Sequence, residues 1–202
     1  MQGVKEKALE LLASGKAQRV LGWKTGEFFY DLTPGVFESA EEVEREFEYG
    51  VFAGANLSKY CIAESKKDGV TAVFLKPCDT YSFNQLLTEH RFDREKVYAV
   101  GVPCNGMLDT GKIKSHAEGI AKVTDNGDKV VIETLFDGEI TLDRNELLPD
   151  RCLNCKSKKH VAYDELLGED GTVLDSHRFD EVEILEKMTP DERFAFWQNE
   201  LS

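Results

Sequence analysis

The sequence predicts an α/β domain with a largely parallel central sheet, a βαβ unit at 71–104 and a small antiparallel β appendage. Three observations carry this. Thr71-Ala72-Val73-Phe74-Leu75 and Val97-Tyr98-Ala99-Val100-Gly101-Val102 are nearly continuous apolar runs, the pattern of strands buried on both faces. Between them Phe83, Leu86, Leu87 and His90 share one side of a helix that Asp79 or Thr80 is placed to cap. Beyond them, 120–123, 129–135 and 139–142 alternate as antiparallel strands, with turns at Asn126-Gly127 and Asp137-Gly138.

From the start of the chain, Val4, Ala8, Leu11 and Leu12 recur at helical spacing over 3–14, and Gly15 ends that helix. A strand at 19–23 follows, with Phe28-Phe29-Tyr30 as its expected hairpin partner. Ser39 with Glu42 is a capping box that opens an acidic helix to about Tyr49, and a short helix covers 57–66. After the β appendage come a loop holding Cys152 and Cys155 and a polar tail. The last helix starts at Thr189 as cap, Pro190 at its first position and Glu192 completing the box. Phe194, Trp197 and Leu201 then form an apolar stripe.

The chain has 202 residues, 41% of them hydrophobic, enough for one sizeable core. The expectation is a single redox domain over 1–202, with the appendage at about 119–143 and the C-terminal helix at about 189–201. No apolar run is long enough to span a membrane and the start lacks a secretory pattern, so a cytoplasmic protein is expected. A net charge of −13 repels polyanions and argues against nucleic acid as a partner. It suits solubility, or an acidic docking face for a basic redox partner.

Five cysteines are an odd number in a chain that needs no disulfides. Cys61 reads as a spare core residue. Cys78 directly follows the first buried strand in Lys76-Pro77-Cys78-Asp79, and Cys104 the second in Val102-Pro103-Cys104-Asn105. Parallel neighbours would deliver both thiols to the carboxyl edge of the sheet, where open α/β sheets place ligands. A helix N-terminus at Cys78 favours thiolate. Cys152-Leu153-Asn154-Cys155 adds two sulfurs able to face one centre, and four thiolates suit a [4Fe–4S] cluster or a structural zinc ion. His90, His116, His160 and His177 show no mutual ligand spacing; His90 reads as a helix-flank residue and His160 as a surface one. Lys156, Lys158 and Lys159 form a compact basic patch, either a solvated loop or compensation for an anionic cluster or cofactor. No Gly-x-Gly-x-x-Gly, P-loop or nucleophile elbow is present.

These motifs, in this order, resemble the beta-subunit family of coenzyme F-420 (deazaflavin) hydrogenases and dehydrogenases, with relatives beside formate dehydrogenases and heterodisulfide-reductase-like complexes. Phe74 to Asp79, Arg94 to Gly106 and Arg151 to Cys155 carry the resemblance. Asn56-Leu57-Ser58-Lys59-Tyr60 and Tyr163-Asp164-Glu165-Leu166-Leu167-Gly168 agree with it. The resemblance implies an iron–sulfur subunit of an oxidoreductase complex, passing electrons between a dehydrogenase- or hydrogenase-type partner and a flavin, deazaflavin or ferredoxin-like acceptor. By matching position, Cys78, Cys104, Cys152 and Cys155 become the ligands of a [4Fe–4S] cluster. Lys76, Asp79 and Asn105 become residues of the cofactor's surroundings. FAD or deazaflavin binding is also implied, though no motif for it is readable here. Relatives often continue past the final helix into a ferredoxin-like segment, so this sequence is either a shortened piece or a version whose partner supplies that segment; relatives often also carry proline soon after the C-x-x-C pair, where this chain has Ser157-Lys158-Lys159-His160.

Two other functions compete: a zinc-stapled docking subunit without redox chemistry, and a thiol–disulfide enzyme using Cys152 and Cys155. A redox C-x-x-C ordinarily opens a helix after a strand, which Leu148-Pro149-Asp150-Arg151 does not suggest.

Overall fold

The computed structural model describes residues 2–171 and 179–202. The chain runs through α1 (Gln2–Ala13), β1 (Arg19–Thr25), β2 (Leu32–Phe37) and α2 (Ala40–Glu46). Then come a 3-10 turn (Ser58–Tyr60) leading into α3 (Cys61–Glu64), β3 (Thr71–Leu75), α4 (Pro77–Thr88) and β4 (Val97–Gly101). After these follow α5 (Thr110–His116), β5 (Ile120–Asp125), β6 (Lys129–Thr134), β7 (Glu139–Asp143), α6 (Asp150–Leu153), β8 (Glu165–Leu166), α7 (Asp180–Lys187) and α8 (Pro190–Glu200).

The main sheet has the order β2-β1-β3-β4-β8. β1, β3, β4 and β8 run parallel, and β2 closes one edge as the antiparallel partner of β1. Every residue of β3 is buried, as its unbroken apolar run requires of a central parallel strand. Burying Val73 and Phe74 is worth about 1.5–3 kcal/mol each relative to exposure. The second sheet, β5-β6-β7, is a separate antiparallel meander. Val130 and Ile132 of β6 pack with Ile113 of α5 and Leu147 into a second small core. The predicted fold class is therefore the observed one.

Several boundaries moved for physical reasons. The hairpin partner of β1 is Leu32–Phe37, not Phe28-Phe29-Tyr30. Those aromatics form the connection, with Phe28 stacked on Tyr30 at 5.3 Å between ring centroids. α2 has the expected cap, Ser39 accepting from the Glu42 N–H, but stops at Glu46. Phe47 and Tyr49 turn into the main core instead, and Glu48 N–H donates to the Trp23 carbonyl. α4 starts earlier than predicted, at Pro77 with Lys76 as cap residue. Asp79 contributes from inside the helix, its carboxylate accepting the Lys76 backbone N–H. His90 lies past the end of α4, exposed and at positive φ, rather than on its apolar side. The stripe of α8 (Phe194, Trp197, Leu201) is exposed.

Candidate metal centre

The site forms at the carboxyl ends of β3 and β4. These strands pair in register from Thr71↔Val97 to Leu75↔Gly101, so the two Pro-Cys turns that follow leave the sheet side by side. Cys78 lies in the first turn of α4, and Cys104 comes three residues after β4 ends. Cys152 sits in the one-turn helix α6, its N–H donating to the Pro149 carbonyl at 2.8 Å. Cys155 follows, its N–H turned back to the Cys152 carbonyl at 3.3 Å. Cys152 packs against both hydrophobic cores, which anchors the C-x-x-C loop over the seam between the sheets.

All four thiols are free and line one cavity of about 220 Å³, together with Lys76 and Lys158. Three separate chain segments thus deliver four sulfurs to one space. Among the described residues, no group of three or more His, Cys, Asp or Glu side chains is placed to hold a metal ion. Cys61 is buried in the main core away from this cavity, as expected of a spare core residue. His177 lies outside the described residues.

The electrostatics of the cavity are mixed. Burial pushes the Cys78 thiol up to about 12, with Asp79 adding to the effect and Lys76 opposing it. The expectation that the helix start would favour a Cys78 thiolate is thus outweighed in the metal-free chain by desolvation and an adjacent carboxylate. Burial also raises Cys104, against the lowering influence of the Gly106 N–H, Lys76 and Lys158. A metal centre must displace these protons to be held, and the lysines favour the thiolates that result.

Lys76 and Asp79 build the floor. Lys76 Nζ lies 2.9 Å from Asp79 Oδ2, donates to the Ala55 carbonyl at 2.8 Å and sits over the Trp23 ring at 4.5 Å. Trp23 donates to the same Ala55 carbonyl, and Ser58 Oγ donates to the Asp79 carbonyl at 2.7 Å. The segment around 55–58 therefore wraps the start of α4. Burial raises Asp79 above the usual carboxylate range despite its lysine partner. The Tyr49 hydroxyl donates to the Pro103 carbonyl at 2.6 Å, bracing the turn before Cys104 from below. Asn105 contributes its backbone carbonyl, which accepts from Arg144 Nη1 at 2.9 Å.

Two residues were invisible to sequence reasoning. Arg144, buried at the end of β7, donates to both oxygens of Asp125 and to the Asn105 and Gly106 carbonyls. It ties the turn after Cys104 to the second sheet. Gly106 has φ +98°, a conformation that favours glycine and brings its carbonyl to Arg144. His160, expected on the surface, is buried with its side chain 0% exposed and reaches between the ends of β3 and β4. Lys156 and Lys158 of the basic patch line the thiol cavity, whereas Lys159 is exposed outside it.

A larger cavity of about 590 Å³ adjoins the first and shares Cys104, Gly106 and Met107 with it; Tyr49, Asn105 and Arg144 also face it.

No family model matches the chain. Among solved structures, it is similar to a chain of the F420-reducing [NiFe] hydrogenase complex from Methanosarcina barkeri, at 12% identity and a TM-score of 0.60. The match covers 75% of this chain and 58% of that one, so this chain spans little more than half of its neighbour. At such identity the likeness is one of fold. No helix among the described residues is long and apolar enough to cross a membrane.

Proposed function

We propose that this chain is an iron–sulfur electron-transfer subunit of an oxidoreductase complex, with Cys78, Cys104, Cys152 and Cys155 holding one [4Fe–4S] cluster. The observation that carries the reading is the convergence of four free thiols from three segments on one cavity at the carboxyl ends of parallel strands. The fold it shares with a chain of a hydrogenase complex supports the oxidoreductase setting. When bound, the cluster supplies one-electron exchange at a potential set by its surroundings.

The protein's own residues do the rest. A single zinc ion asks for four thiolates within about 2.3 Å of one point. A cluster binds each thiolate through a different iron and so tolerates wider spacing than a single ion does. Lys76 and Lys158 offset the negative charge of four thiolates, and Trp23, Tyr49 and Met107 limit water beneath them. Buried cations near such a centre favour its reduced, more negative state.

The adjoining cavity is of the size that receives an organic cofactor, and Cys104 stands in its wall. We assign it to FAD, deazaflavin or a partner's electron carrier, since a shared wall gives the short separation that electron transfer needs. Other subunits, one of them ferredoxin-like, would supply the donor and acceptor. Substituting serine singly at Cys78, Cys104, Cys152 and Cys155 in anaerobically purified protein tests the ligand set. Each change should bleach the cluster absorption, whereas Cys61→Ser should keep it. Retention of full colour after two of the four changes would remove the reading.

A further inference from the structure

His160 occupies an unusual position for a histidine. Its Nε2 lies 3.2 Å from the Leu75 carbonyl and 3.2 Å from the Val102 carbonyl, while Nδ1 lies 2.6 Å from Asp170 Oδ1. Leu75 is the last residue of β3 and Val102 the first after β4, so each carbonyl stands shortly before a Pro-Cys pair. One buried ring thus meets oxygen acceptors at both of its nitrogens. The His160 hydrogen bond holds the Asp170 carboxyl below its usual range, keeping that partner ionised. Space for the ring comes from Gly101: a Cβ there would stand 2.9 Å from His160 Cδ2 and 3.1 Å from Nε2.

We infer that His160 is a positioning residue for the thiol cavity: it clamps the ends of β3 and β4 together and sets the spacing of Cys78 and Cys104. Four further contacts converge on this role. His160 backbone N–H also donates to Asp170 Oδ1, the Val161 N–H donates to Thr80 Oγ1 of α4, Tyr163 lies edge-on to the ring, and Leu167 N–H donates to the Gly101 carbonyl. The segment downstream of Cys155 is thereby fastened to both turns that carry the other two thiols. An adjustment at one turn is transmitted to the other through a single buried ring. The significance of this clamp for a metal centre rests on the ligand set proposed above, but the clamp itself does not.

The test uses the full chain in metal-free form, with ferrous iron plus sulfide as the probe and amide hydrogen exchange as an independent readout. In His160→Ala the Val102 amide, whose N–H donates to the Leu75 carbonyl, should exchange faster than in the parent. His160→Ala should also weaken iron retention by about ten- to a hundredfold, the usual effect of removing a group that orients ligands. His160→Gln, whose amide can still donate to the two carbonyls, should restore most of the loss. Should His160→Ala fail to fold, Gly101→Ala displaces the ring instead and should weaken iron retention in the same direction. A folded His160→Ala protein that exchanges Val102 as slowly as the parent, or retains iron as tightly, overturns the inference. A wild type that takes up no iron and sulfide, while His160→Ala still loosens the Val102 amide, removes the proposed ligand set and leaves the clamp standing.

Discussion

Lys76 Nζ lies 2.9 Å from Asp79 Oδ2, and both side chains are 2% exposed. A buried pair of this kind contributes little against a well-packed apolar replacement, yet breaking it leaves an uncompensated charge. Lys76→Met should therefore cost about 3–5 kcal/mol of stability, and Asp79→Leu a similar amount. The double variant Lys76→Met/Asp79→Leu should cost less than the two single changes together. Urea unfolding of the four proteins measures the coupling; strictly additive costs would show that the two groups act separately.

Arg144 should be irreplaceable by lysine. Its guanidinium meets Asp125, Asn105 and Gly106 at once, and an ammonium cannot span that fork. Arg144→Lys and Arg144→Ala should both cost about 2–4 kcal/mol, since each strands a carboxylate and two carbonyls. Thermal unfolding checks the loss, and hydrogen exchange at Gly106 should rise in both variants. An Arg144→Lys protein as stable as the parent would show that charge alone suffices.

The cysteines should separate by alkylation in the metal-free chain. Burial pushes Cys61 and Cys78 each to about 12, but Cys61 is enclosed by the core whereas Cys78 opens to solvent. Cys78 should therefore keep reacting faster by about tenfold per pH unit beyond pH 8.5, where an ordinary thiol levels off. Cys61 should stay unmodified until the protein unfolds. Mass spectrometry of quenched samples distinguishes the two, and early levelling at Cys78 would contradict the desolvation account.

Acid should loosen the edge of the main sheet that carries His160 before it unfolds the rest. Asp170 is held below its ordinary range by His160, and Glu165 by Lys7 and then Tyr98. A carboxylate with a depressed folded value contributes stability that is fully present above about pH 4, its unfolded value. That contribution is lost as pH falls through the folded value. Asp170 closes the 160–170 segment on His160, and Glu165 fastens that segment to the body through its 2.6 Å pair with Lys7 of α1. As pH falls below about 4, amide exchange at Leu167 should rise earlier than at Val73. Simultaneous loss at both positions would mean that this edge is no separate unit.

Much of the architecture was legible because β3 and β4 are apolar throughout and the meander strands are punctuated by Asn126-Gly127 and Asp137-Gly138. The pairing of Cys78 with Cys104 followed from two matched strand ends. The C-x-x-C loop's arrival at the same cavity rested on chemistry and resemblance, since nothing local specifies where such a loop folds. β8 was not readable: it is two residues long, too short for any period. His160 and Arg144 were hidden because their partners are backbone carbonyls 85, 58, 39 and 38 residues away, which leave no pattern in sequence. α2 ran short of its expected end because Phe47 and Tyr49 are better buried against Trp23 and Phe74 than left on an acidic helix.

The most direct test of the central claim is the iron, acid-labile sulfide and zinc content of anaerobically purified protein, read with its absorption spectrum. The account predicts about four irons and four sulfides per chain with a broad visible chromophore. About one zinc per chain, with no iron and no colour, would contradict it and make the four cysteines a structural staple.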